Sequence, residues 1–400
     1  MEDEKREVLL RVEHLTQCFK MGHGEFKAVD DVSFEIHKGE VFGLVGESGC
    51  GKTTTGRSIL KIYDITGGNI YFKGQRICAG IRTYKDAIKE ARKELKTCTD
   101  EARRAELAKV IEDNRTEIAK ARYDHKMCDK LYAKKLVKET EERYEKLIAE
   151  AKTPEEATEL KKKLMKERRI AAKTRLITKI QMIFQDPIAS LDPRMTVREI
   201  IAEGMIINGI RDKEYIDEKV YDILEKVGLV REHAGRYPHE FSGGQRQRIG
   251  IARSVVMRPE MIIADEPVSA LDVSVQAQVI NLLNDLRDEF DLTIMFIAHD
   301  LSVVKYFSDR IGVMYFGKMV EMTTSDELFA HPLHPYTKSL LSAIPLPDPQ
   351  SEKKRTRIVY NAIAEHDYSV DKPSLREIVP GHFVYCNDAE EEKYRKELGI

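Results

Sequence analysis

The chain has 400 residues, enough for two or three domains whose cores need no disulfide or metal staple, and its net charge of -2 gives no global pull toward polyanions. That balance hides a split: residues 81–180 hold 29 Lys and Arg against 20 Asp and Glu, so this block is +9 and the remainder is about -11. Cysteines 18, 50, 78, 98, 128 and 386 show neither metal spacing nor a secreted framework, no signal-peptide pattern opens the chain, and no apolar run nears the roughly 18 residues of a spanning helix, which together predict a reducing cytoplasmic setting.

In chain order, residues 8–36 alternate branched and polar side chains and predict short strands of a mixed sheet. The uninterrupted apolar run VFGLV, Val41 to Val45, reads as a buried parallel strand. It leads into GESGCGKTT, comprising Gly46, Glu47, Ser48, Gly49, Cys50, Gly51, Lys52, Thr53 and Thr54. In this pattern the glycines let backbone amides wrap a phosphate, Lys52 bridges the outer phosphates and Thr53 ligates magnesium. A thiol at a helix start beside Lys52 has the setting of an unusually acidic cysteine, so Cys50 is expected to react readily unless nucleotide covers it.

Between Thr83 and Lys173 there is no glycine and one proline, in helix-forming composition. Thr153-Pro154-Glu155-Glu156 supplies an N-cap, a first-turn proline and a capping glutamate, so one helix ends near Ala151 and another starts at Pro154. Thr97 to Asp100 is a candidate for a further turn. Apolar residues seven apart, such as Ile88 and Leu95, Ile111 and Ile118, and Val137 and Tyr144, form a thin seam suited to a projecting hairpin, coiled coil or small bundle. Its end, Lys161 to Lys179, carries nine basic residues against one acid. Attraction to lipid headgroups, protein or nucleic acid competes there with a simple solvated face, and nucleic acid is the disfavoured partner.

The run IQMIF closes on Gln185, whose amide can touch both magnesium and water. Residues 196–258 are helical by period and contain HEFSGGQRQR, His239 to Arg248, in which no acid, base or metal ligand stands among Ser242, Gly243, Gly244 and Gln245. Two further buried runs end on chemistry: MIIA on Asp265-Glu266 and TIMFIA on His299. Groups beyond the carboxyl ends of parallel strands line the ligand crevice, where Asp265 suits the magnesium shell and Glu266 can orient or deprotonate water. Beyond Pro332 the proline-punctuated sequence reads as an appended tail that packs on the body. His331 and His334 there are expected to be packing residues, not metal ligands.

These motifs, in this order, resemble the ATP-binding subunits of ABC transporters. The resemblance makes Ser242, Gly243, Gly244 and Gln245 the signature motif, with Phe241 where leucine is commoner, and Asp265 and Glu266 the Walker B acid and catalytic base. It makes Gln185 the Q-loop, His299 the switch histidine and Asp272 part of the D-loop, and Phe19, preferred to Phe26, the aromatic that stacks on adenine. IFQDPIASLDPRMTV, Ile183 to Val197, and HPLHPYTKSLLSAIPLPDP, His331 to Pro349, resemble the oligopeptide, dipeptide and nickel importer branch.

The implied α/β fold is an ABC-type P-loop NTPase: a RecA-like parallel core, an antiparallel β subdomain and a helical subdomain. The expected domains are 1–81 with 174–330 for nucleotide binding (helical signature subdomain about 187–258), 82–173 for the inserted charged helices, and 331–400 for the C-terminal extension. The resemblance implies ATP and Mg2+ as ligands, a second ATP-binding subunit in a hetero- or homodimer, two integral membrane permease subunits and, indirectly, an extracytoplasmic solute-binding protein. It further implies a peripheral position at the cytoplasmic face of the membrane and import of peptides or a similar small solute. An unknown partner is expected for the inserted helices. With Cys386 the one cysteine in the tail, no iron–sulfur cluster is expected, although relatives often carry several cysteines there. The competing reading is a soluble ABC ATPase acting on DNA or a protein complex, with the insert as its arm.

Overall fold

The computed structural model describes residues 7–22, 24–344, 357–369 and 371–400. The stretch 345–349 of the importer-like tail motif therefore lies outside the described residues. Elements follow in order as β1 (Val8–Met21), β2 (Gly24–His37), β3 (Val41–Val45), α1 (Lys52–Ile59), β4 (Gly67–Phe72), β5 (Gln75–Ala79), α2 (Ile81–Thr97), α3 (Glu101–Ala149) and α4 (Pro154–Ala171). Next come β6 (Ile180–Ile183), α5 (Val197–Ile207), α6 (Lys213–Lys226), α7 (Gly243–Val255), β7 (Met261–Asp265), α8 (Val273–Phe290), β8 (Thr293–Ala298) and α9 (Leu301–Phe307). The chain continues through β9 (Arg310–Tyr315), β10 (Lys318–Thr324), α10 (Ser325–Ala330), α11 (Pro335–Ser342), β11 (Ser374–Val379), β12 (His382–Cys386) and α12 (Asp388–Glu397).

The chain divides into two compact units: Met1–Gly74, Ile263–Ser269 and Asp291–Ile400 form one, and Gln75–Ile262 with Ala270–Phe290 the other. This division differs from the sequence-based one, because the inserted helices share a unit with the signature helices.

In the first unit β3 pairs in parallel with β8 and β9, and β7 lies beyond β8. Every residue of β3, β7 and β8 is buried, which explains their unbroken apolar runs. Helix α1 lies close on this sheet because Gly56 has no side chain; a Cβ there would come within 3.0 Å of Ile263 and 3.1 Å of Ile297. A separate antiparallel layer pairs β1 with β2 and β4. Its two long strands replace the short ones expected.

The tail is more than an appended segment. Strand β12 pairs antiparallel with β10, and β11 with β12, so the tail extends the main sheet. Leu333, Ile378, Val384, Cys386 and Tyr394 form a small core of their own there.

In the second unit the insert is three helices. At about 1.5 Å per residue the 49-residue α3 runs roughly 74 Å. The break before it falls at Cys98–Asp100, where the Asp100 carboxylate accepts the Ala102 amide; the break after it precedes Thr153, whose hydroxyl accepts the Glu156 amide. Ala91, Leu107 and Ile111 bury against Ile88 and Leu95 between α2 and α3. The middle of α3 is fastened by Arg76, which donates to Asp124 at 2.7 Å, and by Asp129, which accepts the Leu176 amide at 2.9 Å.

Candidate nucleotide site

The loop between β3 and α1 is shaped by glycines where no other residue fits. Gly46 has φ 149° and a Cβ there would sit 2.2 Å from the Met314 carbonyl oxygen; Gly51 has φ 105° and its Cβ would sit 2.3 Å from that of Ala28. Glu47, Ser48 and Gly49 are exposed at the rim, whereas Gly46, Cys50, Gly51 and Lys52 are buried. The Lys52 ammonium donates to the carbonyl oxygens of Gly46 (2.7 Å) and Glu47 (2.9 Å). It is a buried cation held by loop carbonyls. Thr54 follows on α1, with its carbonyl accepting from Ser58.

At the end of β7, Asp265 is fully buried, and Thr53 Oγ1 donates to its Oδ1 at 2.7 Å. Its Oδ2 is buried with no hydrogen-bond partner among the described residues. Burial pushes this carboxyl above the ordinary aspartate range, against a lowering by the Thr53 hydrogen bond and by Arg57. A buried carboxylate oxygen facing no donor is costly unless a cation completes it. One hydroxyl and one such oxygen are the hard donors that Mg2+ prefers, so these residues fit that ion.

Glu266 follows with φ 46°, left-handed backbone that a non-glycine residue adopts at a cost of about 1–3 kcal/mol. Its amide donates to the Ile297 carbonyl (3.0 Å), and its own carbonyl accepts from the Ser269 amide (3.3 Å), which hold the turn. His299, just past β8, brings Nδ1 to 3.3 Å from Glu266 Oε2; the histidine is half exposed and the glutamate mostly buried. Phe19, on β1, takes an edge contact from Tyr63 at 5.2 Å, and Phe26 opposite it is exposed.

The expectation of an acidic Cys50 is corrected. Its thiol is buried, and burial pushes it up more than the nearby Lys52 pulls it down. Lys52 stands near the sulfur (3.8 Å) but spends its closest contacts on two carbonyls.

The remaining sequence candidates belong to the second unit. Ser242 caps α7 in a capping box: its hydroxyl accepts the Gln245 amide (3.4 Å), and its amide donates to the Gln245 side chain (3.1 Å). Ser242 and Gly243 are exposed, and Phe241 is buried with its ring edge-on to His233 at 5.1 Å. Gly244 permits a close helix crossing, since a Cβ would lie 2.7 Å from Val275 of α8. Asp272 accepts Ser274 Oγ (2.6 Å) and the Val275 amide (3.0 Å), which lower its carboxyl and cap α8. Gln185 is exposed just beyond β6.

One residue at the loop was missed by sequence reasoning. Tyr336, on α11 of the tail, accepts the Glu47 amide through its hydroxyl at 3.0 Å.

Comparison with known proteins agrees with these motifs. The ABC transporter pattern matches residues 29–174 and 145–269, and the oligopeptide/dipeptide transporter C-terminal region matches 320–370. The oligopeptide transport ATP-binding protein OppF of Bacillus subtilis is 46% identical over 385 residues, covering 96% of this chain and 98% of the relative. The dipeptide transport ATP-binding protein DppF of Lactococcus lactis subsp. cremoris is 43% identical over 392 residues, 97% of each. Among solved structures, a dimeric ATP-binding cassette in a post-hydrolysis state bound to ADP and Pi aligns at TM-score 0.51 and 21% identity over 79% of this chain and 99% of that one. CbiO1 of Clostridium perfringens aligns at 0.51 and 20% over 81% and 92%, respectively. The chain belongs to the ABC transporter family and carries the C-terminal region of its oligopeptide/dipeptide branch.

Proposed function

We propose that this chain is the ATP-hydrolysing subunit that powers import of peptides through separate membrane subunits. The observation that carries the reading is the Thr53–Asp265 pair at the end of a glycine-shaped loop, with a buried carboxylate oxygen left for a cation. Thr53 and Asp265, with Gln185 as a further ligand, would hold Mg2+, which would supply charge neutralisation at the phosphates. Lys52 moves from the loop carbonyls to the phosphates of ATP, whose adenine rests on Phe19. Glu266 orients an attacking water and takes its proton, and His299 holds the glutamate carboxylate and the water in line. The strained Glu266 backbone fits a residue whose direction matters more than its comfort.

The signature works on a different molecule of ATP. The Gly243 and Gly244 amides and the Ser242 hydroxyl stand at the start of a 13-residue helix with no acid in its first turn, a setting that binds an anion and has no proton to move. Their phosphate belongs to the ATP held by a second ATP-binding subunit, so each site needs both chains, with Asp272 at the seam. The membrane partners are two permease subunits, with a solute-binding protein acting outside, and the chain sits at the cytoplasmic face. No helix among the described residues is long and apolar enough to cross a membrane, which fits a subunit that borrows its pore. The relatives OppF and DppF are oligopeptide and dipeptide transport ATP-binding proteins, which supports peptides as the solute class. A Glu266→Gln variant should bind Mg-ATP and hydrolyse it at least a hundredfold more slowly; hydrolysis at the wild-type rate would remove Glu266 from its role.

A further inference from the structure

We infer that Tyr336 is a positioning residue of the ATP site, through which the C-terminal extension holds the phosphate loop. The inference rests on the loop binding ATP as proposed above. Glu47 is gripped on two sides: its amide donates to Tyr336 Oη at 3.0 Å, and its carbonyl accepts from Lys52 Nζ at 2.9 Å. When Lys52 turns to phosphate it releases that carbonyl, and the phenol remains as the tether of this peptide.

The phenol is itself held by a relay that runs back to the main sheet. Tyr336 is 2% exposed, and its ring packs at 4.4 Å from that of Tyr315, next to the Met314 carbonyl that crowds Gly46. Pro335 starts α11 at the first helical position, and His334 caps it by accepting the Tyr336 amide on Nδ1 at 3.1 Å. Burial and neighbouring His366 push the His334 imidazole down to about 3, so it stays neutral and remains an acceptor at physiological pH. The amides of Leu333 and His334 donate to the carboxylate of Glu321 on β10, which is fully buried and also meets His382 Nε2 at 2.8 Å. Glu321, His334, Tyr336 and Glu47 thus form a continuous chain of contacts. Histidine, proline and tyrosine in this succession are what that chain requires: a capping acceptor, a helix-starting ring without an amide, and a hydroxyl of the right reach.

The test is an equilibrium titration of the purified full chain with ATP. Tyr336→Phe removes one oxygen, keeps the ring and strands the Glu47 amide. Its expected effect is a Kd for ATP weakened about tenfold, the equivalent of ~1.4 kcal/mol, with an unfolding midpoint within about 1 °C of wild type. Tyr360→Phe, in the same aromatic cluster but without a loop hydrogen bond among those described, should leave Kd unchanged. Glu47→Pro removes the donor itself, so adding Tyr336→Phe in that background should change Kd less than twofold. A Tyr336→Phe chain that binds ATP as wild type does, or an equal loss with and without the Glu47 amide, overturns the tether. A wild-type chain that fails to bind ATP overturns the reading of the site instead.

Discussion

Asp265→Asn should make the ligand-free protein more stable while removing its response to magnesium. The wild-type carboxyl is fully buried, with one oxygen satisfied by Thr53 and the other by nothing described. Its folded pKa is raised, so its favourable contribution is complete below the unfolded aspartate value near 3.9 and is lost as pH rises through the folded value. Above the folded value the ligand-free protein therefore carries a buried charge at this position. Asparagine keeps the acceptor for Thr53 and removes the charge, though its amide is also left without a partner, so the net gain is about 1 kcal/mol. At about 2.1 cal/mol/K per residue, 400 residues give ~0.8 kcal/mol/K, and the midpoint rises by ~1 °C. Mg-ATP at a hundred times its Kd adds ~2.7 kcal/mol, or ~3 °C, to wild type alone, so the order of stabilities inverts. Thermal unfolding between pH 5 and 8, with and without Mg-ATP, reads both effects. The ligand-free gap should shrink toward acid pH. A variant less stable than wild type without ligand, or equally stabilised by Mg-ATP, would show, respectively, that Asp265 is not a costly buried charge or not a magnesium ligand.

Three further outcomes follow from the geometry. Gly46→Ala should abolish ATP binding by titration while the chain stays folded, because the new Cβ collides with the Met314 carbonyl and the backbone there disfavours a side chain. Cys50 should alkylate at least tenfold more slowly than a small free thiol at pH 7, since its thiol is buried and raised; mass spectrometry of iodoacetamide adducts measures this. Gly244→Ala should leave ATP binding by the isolated chain intact yet lower hydrolysis in the assembled complex at least tenfold, because α7 must back away from Val275 of α8 and carry the signature amides with it.

What the sequence made legible was what local chemistry alone requires. The unbroken apolar run before Gly46 to Thr54 reads as a buried strand and is one, and the acid pair and histidine that follow two similar runs fall in the same unit. Thr153-Pro154 marks a helix start because cap and ring are adjacent residues. What stayed hidden depends on distant chain. Tyr336 meets Glu47 across 289 positions, and no periodicity reports such a contact. The β11–β12 hairpin was obscured because its Pro380-Gly381 turn looked like more of the tail's punctuation. Cys50 was misjudged because proximity to Lys52 is visible in sequence and burial is not.

The basic run Lys161 to Lys179 is a similar case. Lys163, Lys166, Arg168 and Arg175 pair with Glu159, Asp212, Glu141 and Asp129, so much of its charge is spent internally. Further basic residues line an α2–α3 groove of about 930 Å³, with Lys85, Lys89, Arg92 and Lys93 along one wall. Helical phase, not local composition, put them there.

If the proposed function holds, ATP turnover at Glu266 of this chain drives peptide entry. The most direct measurement is uptake of a labelled peptide by cells whose only copy of the chain carries Glu266→Gln, with the variant present at wild-type abundance. Uptake should fall at least tenfold while membrane-associated complex persists; uptake at the wild-type rate would show that turnover at Glu266 does not drive entry.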